Sequence, residues 1–126
     1  MGRQWNVYRA GLDPTFGHEQ KGEIPALVVS AEPLNGFYEV VTVIPITSRK
    51  GDRPARLGEV LLPAGTAGLP LDSIALCYQA RAVETRRLLD LYGAIADDSL
   101  RRAIADTLSE CLDLPYAGTL NGVDLL

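Results

Sequence analysis

The sequence predicts a mainly β domain with short helices, closed at its C-terminal side by one amphipathic helix. Three observations predict it. Two runs in the first half, Pro25–Ser30 (PALVVS) and Val40–Ile46 (VVTVIPI), are rich in β-formers and apolar on both faces, as strands of a small packed sheet are. Gly- and Pro-rich segments punctuate the chain at strand-length intervals. From Leu100 onward the period changes: Leu100, Ala103, Ile104, Leu108, Cys111 and Leu112 fall on one face of a helix. Short strands followed by one such helix indicate a small barrel-like sheet with the helix packed across it.

The elements follow in order. Trp5–Gly11 is a short aromatic-bearing strand, and Leu12–Ile24 is a polar loop broken by Gly and Pro. Asn35-Gly36 signals a turn between the two apolar strands. Pro45 lacks an N–H and marks an edge, a bulge or a strand end. Arg49–Arg56 is a basic loop, Glu59–Leu62 a short strand and Pro63–Pro70 a turn. Ser73–Gln79 reads as the next strand, with Ile74, Leu76 and Tyr78 on one face; Thr85–Leu89 reads as one helical turn and Leu91–Ile95 as a last strand. Asp97 or Asp98 caps the helix, and Pro115 stops it. The expected organisation is one domain over residues 1–115 and a tail over 116–126.

Composition bounds the function only loosely. A chain of 126 residues with 47% apolar and 22% charged residues can bury its own core without metals or disulfides. No apolar run is long enough for a membrane helix and no signal peptide is visible, so a cytoplasmic protein is expected. Cys77 and Cys111 lie in apolar surroundings without clustered partners, which favours buried free thiols over a zinc site; no cofactor and no metal are expected. The net charge of −4 does not advertise a nucleic-acid binder. Lys21, Arg49, Lys50, Arg53 and Arg56 nevertheless gather in two inter-strand segments, and a local basic field acts within roughly 8–10 Å whatever the total charge.

An ordered set of motifs carries a resemblance. It comprises Trp5-Asn6-Val7-Tyr8, Leu12-Asp13-Pro14-Thr15, Gly17-His18-Glu19-Gln20-Lys21-Gly22, and Pro25-Ala26-Leu27-Val28-Val29-Ser30. Pro45-Ile46-Thr47-Ser48, Asp72-Ser73-Ile74-Ala75-Leu76, Gln79-Ala80-Arg81-Ala82-Val83 and Arg87-Leu88 complete it. Each piece is weak alone, but their order over nearly the whole chain is specific. The sequence resembles the MazF/PemK family of toxin–antitoxin ribonucleases. The resemblance implies an SH3-like small barrel, MazF- or CcdB-like, in a homodimer. It further implies metal-independent, sequence-specific cleavage of single-stranded RNA (an mRNA interferase) and a cognate MazE-like antitoxin whose acidic segment occupies the RNA groove. The alternative from the same fold is a catalytically altered protein that binds RNA or a protein target such as gyrase without cutting RNA.

Metal-free cleavage uses the substrate's own 2′-OH as nucleophile. It needs a group to take that proton, charge stabilisation at the phosphate and a proton for the leaving 5′-oxygen. The family assigns these jobs to an arginine just before the loop's proline and to the threonine of the PITS segment. Thr47 is present; the arginine position holds Ile24, which can neither carry charge nor move a proton. His18, the only histidine, stands where the family usually has serine, and an imidazole can do either half of acid–base work near neutral pH. The candidate catalytic residues are therefore Thr47, His18 and Glu19, with Glu19 also expected to orient the loop. The candidate RNA-binding residues are Gln20, Lys21, Ser48, Arg49, Lys50, Gln79, Arg81 and Phe16. Gln20 and Gln79 can read base edges or anchor the loop, Phe16 can stack or pin the loop tip, and Lys21 or Arg81 can supply the missing positive charge.

Overall fold

The computed structural model describes residues 2–13, 15–20 and 22–114, so the expected tail and Pro115 lie outside the described residues. Seven strands form one antiparallel sheet: β1 (Asn6–Gly11), β2 (Glu23–Val28), β3 (Val40–Ser48), β4 (Glu59–Leu62), β5 (Ser73–Leu76), β6 (Arg81–Glu84) and β7 (Leu88–Ala94). The path runs β4-β5-β3-β2-β1-β7, with β6 paired to β3 beside it. Two helices accompany the sheet, α1 (Glu32–Phe37) and α2 (Asp98–Leu112). Among the described residues no helix is long and apolar enough to cross a membrane.

The nine-residue β3 organises the sheet. Its start pairs with β6 (Val43↔Arg81) and its end with β5 (Ile46↔Ala75), while β2 takes the other edge. Three steps along β3, from 46 to 43, correspond to six along its partner, from 75 to 81. The three extra residues are folded away as the 3₁₀ turn Cys77–Gln79. This is why the strand expected over Ser73–Gln79 stops at Leu76 and why Tyr78 points outward, 55% exposed. Pro45 falls in the gap between the two ladders, where a missing N–H breaks no pairing with β5 or β6.

The sheet does not close into the expected barrel. β6 and β7 share no ladder; the 3₁₀ turn Thr85–Arg87 carries the chain between them, and β7 pairs only with β1. The sheet instead curls while staying open. Its inner curve buries Ala10, Leu12, Ala26, Val28, Val41 and Val83 in one cluster, with Ile24 and Leu88 packed against it. The opposite face carries Val7, Leu27, Ile44, Ile46, Leu62 and Ile104, the last supplied by α2. One helix therefore suffices, because the second face is covered by the sheet's own curvature.

The helix expected near Leu100 begins where a carboxylate can cap it: Asp97 accepts from the N–H groups of Ser99 (2.7 Å) and Leu100 (3.2 Å). Cys111, in the last turn of the helix, is exposed rather than buried, whereas Cys77 is buried. Asn35-Gly36 lies within α1 rather than forming a hairpin turn. The Asn35 side chain reaches back to Ser30, accepting from its hydroxyl (2.6 Å) and donating to its carbonyl (2.9 Å), and this local staple favours a helical turn over a two-residue hairpin.

Candidate functional site

The loop between β1 and β2 is held from a distance. Its tip is a turn in which the Glu19 N–H donates to the Phe16 carbonyl (3.1 Å) and the Glu19 carboxylate accepts from the Phe16 N–H (2.7 Å). Gly17 supplies the left-handed φ of +57° that this turn requires. Gln79, at the end of the 3₁₀ turn, accepts from the Gln20 N–H (2.9 Å) and donates to the His18 carbonyl (3.3 Å). Arg81 donates to the Leu12 carbonyl (3.2 Å), and Arg87 to the carbonyls of Gly11 (3.1 Å) and Asp13. Three side chains from the second half thus position a loop of the first.

That loop opens onto a cavity of about 280 Å³ at the end of β3. Gln20 comes from the loop, Ile24 and Pro25 from β2, and Thr47 and Ser48 from β3. Ile46 (1% exposed), Leu69 (2%) and Ser73 (5%) form a buried floor, while Pro70, Leu71 and Tyr92 stand at the rim. Tyr92 is held there by close backbone packing. A Cβ on Gly68 would stand 2.5 Å from the Tyr92 carbonyl oxygen, and one on Gly93 would stand 2.8 Å from the Ala67 carbonyl. Only glycines let the turn Thr66–Gly68 press so closely on β7.

Three of the candidate residues, Thr47, Ser48 and Gln20, line this cavity together. Position 24, where the resemblance implies arginine, lines it too, as Ile24. Gln79 joins the group through its bond to Gln20. His18, Glu19 and Phe16 sit on the exposed loop tip and are not among the lining residues; the Phe16 ring is 82% exposed. In this state the hydrogen bonds of Glu19, Gln79 and Arg81 serve to anchor the loop. Arg49 curls back on its own loop, donating to the carbonyls of Arg53 (2.7 Å) and Asp52 (3.1 Å). The Lys50 ammonium is exposed and bonds to no described residue, and Lys21 lies outside the described residues. Sequence reasoning met Arg87 only as part of a motif, with no role assigned, and missed Tyr92: neither the distant carbonyls that Arg87 binds nor the glycine packing that places Tyr92 leaves a local pattern. Among the described residues, no three His, Cys, Asp or Glu side chains gather as metal ligands would.

A curled open sheet with one packed helix, and a loop-covered cavity at the end of its longest strand, define the chain as a small toxin-fold domain. It belongs to the family of PemK-like, MazF-like toxins of type II toxin–antitoxin systems, whose model matches residues 3–112. The chain is 34% identical over 119 residues to endoribonuclease MazF9 of Mycobacterium tuberculosis, covering 90% of this chain and 98% of that protein. Among solved structures it is similar to MazF from Deinococcus radiodurans, at 27% identity and a TM-score of 0.73, covering 88% of this chain and 96% of the other. An endoribonuclease from a mycobacterial species, solved in complex with its cognate antitoxin, shares the fold at 21% identity and a TM-score of 0.73, covering 92% and 99%.

Proposed function

We propose that this chain is the toxin of a type II toxin–antitoxin pair and cleaves single-stranded RNA, without a metal, through the substrate's 2′-OH. One observation carries the reading: Gln20 and Pro25 from two neighbouring family motifs and Thr47 and Ser48 from a third converge on a single cavity, in a chain matching an endoribonuclease along nearly its full length. In this reading Thr47 donates a hydrogen bond to a phosphate oxygen at the cavity mouth. His18 exchanges the proton from the exposed loop tip, and Glu19 keeps that tip in its turn. Lys50, Arg49, Arg81 and Lys21 supply positive charge along the strand's path, and Phe16 and Gln79 contact bases once RNA displaces solvent. The protein works as a homodimer, and an acidic, apolar-rich antitoxin segment competes with RNA for the same surface. Sedimentation at micromolar concentration tests the dimer, and a monomer there contradicts it.

The decisive assay is incubation of the purified protein with unstructured RNA in EDTA. Cleavage leaving cyclic-phosphate and 5′-hydroxyl ends supports the reading; intact RNA of every sequence tried contradicts it. His18→Gln is expected to lower the rate by about 10²–10⁴-fold, the usual contribution of one acid–base group. A second reading, RNA binding without cleavage, is favoured by Ile24, because an alkyl side chain occupies the place where the family's charged group belongs. Ile24→Arg separates the two: a gain of cleavage in an otherwise silent protein identifies the binder.

A further inference from the structure

The cavity at the end of β3 has an unusual lining for a phosphate site. None of its eleven lining residues is ionisable near neutral pH, counting only the described residues. The neighbouring charges are turned elsewhere. Arg49, next to Ser48, binds the carbonyls of Arg53 and Asp52, and the Asp72 carboxylate, next to Ser73, accepts from the Ala64 N–H (2.8 Å). A phosphate drawn into this space would lose its hydration with no counter-charge in return, which is costly. An uncharged ring would not. Ile46 and Leu69 make most of the floor aliphatic, Tyr92 stands at the rim, and Ile24, Pro25 and Leu71 complete apolar walls.

Polar atoms in the same walls are available for a ring edge. The Gln20 side-chain amide and the hydroxyls of Thr47, Ser48 and Tyr92 make no hydrogen bond to another described residue. The Ser73 hydroxyl donates to the Leu71 carbonyl (2.8 Å), which leaves its oxygen free to accept. An amide that offers a donor and an acceptor side by side suits the edge of an unstacked base, and an aromatic rim suits its face. The volume of about 280 Å³ has room for a single ring system and lies at the small end of the ~300–1,000 Å³ range of ligand pockets.

We infer that this cavity is a nucleobase pocket: it takes one unstacked base of the RNA, with Tyr92 as its stacking surface and Gln20 and Ser73 reading its edge. The phosphate beside that base stays outside, at Thr47 and within reach of the basic loop. The inference rests on the RNA-directed reading above, yet it can fail separately from it.

The test is an NMR titration of the ¹⁵N-labelled protein with each of the four free nucleosides and, separately, with inorganic phosphate. At least one nucleoside is expected to shift the amides of Gln20, Ser48, Ser73 and Tyr92 saturably, and phosphate to leave them unmoved. Tyr92→Leu is expected to weaken that nucleoside by about fivefold to a hundredfold, the range of one base–aromatic stack, while Tyr92→Phe keeps it. Thermal unfolding of both variants checks that the fold is intact. Saturable shifts with phosphate alone overturn the inference. So does an absence of nucleoside binding at millimolar concentration, or nucleoside binding that is indifferent to Tyr92→Leu in a folded variant. A protein that binds nucleosides here but leaves RNA uncut keeps the pocket and loses the nuclease reading. One that cuts RNA with no nucleoside bound here does the reverse.

Discussion

The cavity at the end of β3 and the groove under the end of α2 are made of different material. The groove is the larger, about 490 Å³, and is lined by Leu57, Tyr78, Leu108 and Leu112 together with both thiols. It contains none of the candidate site residues. The smaller cavity holds three of them and mixes apolar walls with unsatisfied hydroxyl and amide groups. What distinguishes them is that the groove is mostly apolar, with Glu110 and Tyr78 among its lining, whereas the cavity gathers several hydroxyls and an amide on one small space. The turn Cys77–Gln79 divides the two, since Cys77 and Tyr78 line the groove while Gln79 holds the loop over the cavity.

The largest effect that could break this contrast concerns the thiols. Burial above all, and then the neighbouring Cys111, pushes the Cys77 thiol up to about 12, whereas Cys111 is exposed. Near neutral pH the thiolate fraction of Cys77 is therefore about 10³-fold below that of an ordinary cysteine. A thiol reagent is expected to modify one cysteine rapidly in the native protein and the second only on unfolding. Two equal native rates would mean that the groove opens through to Cys77.

Next in size is the chemistry assigned to the cavity. Thr47→Val removes one hydroxyl with little change of shape, and is expected to lower RNA cleavage by about 10²–10³-fold, as loss of a single oxyanion donor does. Cys111→Ser, in the groove, is expected to leave cleavage at the wild-type rate. If the two exchange roles in a cleavage assay, the groove is the functional hollow.

A smaller effect sharpens the role of Gln79. Gln79→Met keeps the bulk but releases the Gln20 N–H and the His18 carbonyl. Each lost bond is worth about 0.5–1.5 kcal/mol, so hydrogen exchange at the Gln20 amide should quicken roughly tenfold. RNA affinity should fall with it. A fall in affinity with unchanged exchange would mean that Gln79 touches RNA itself.

Gln79 also shows what the sequence could and could not reveal. Elements written in adjacent residues were legible: Glu59–Leu62 as a strand, the helix from its apolar period and the Asp97 cap, and the converging motif segments at Gln20, Pro25 and Thr47. What depends on distant partners was not. β6 was missed because four residues with only Val83 buried show too little alternation. The curl that leaves the sheet open depends on how β6 and β7 lie relative to β3 and β1, and no local period encodes that. The bonds from Arg81 and Arg87 to the loop span 69 and 76 residues, and carbonyl acceptors carry no side-chain signature. Asn35 misled for a related reason: the same amide that favours a turn can staple a helix when Ser30 lies within reach.

The smallest expected effect concerns pH, and it separates the two hollows once more. The cavity lining contains no carboxylate or imidazole, while Glu59 directly follows Gly58 of the groove lining. This carboxylate, 4% exposed, accepts two hydrogen bonds from Arg53 (2.9 and 3.1 Å) and one from the Arg56 N–H (2.9 Å). The Arg53 bonds above all hold it below the ordinary carboxylate range, with burial opposing them and the Arg56 N–H assisting. A carboxylate depressed in the folded state binds its proton more readily when unfolded. Its contribution to stability is therefore complete above the unfolded value of ~4.3 and is lost as pH falls through the lower folded one. Glu59→Gln should unfold at a lower temperature at neutral pH, and its unfolding temperature should decline less steeply than the wild type's below about pH 4.5. Asp97, held low chiefly by the Ser99 hydroxyl at the start of α2, is the comparison to run beside it. Should Glu59→Gln retain the full acid sensitivity while Asp97→Asn loses it, the helix cap rather than the groove wall sets the protein's acid limit.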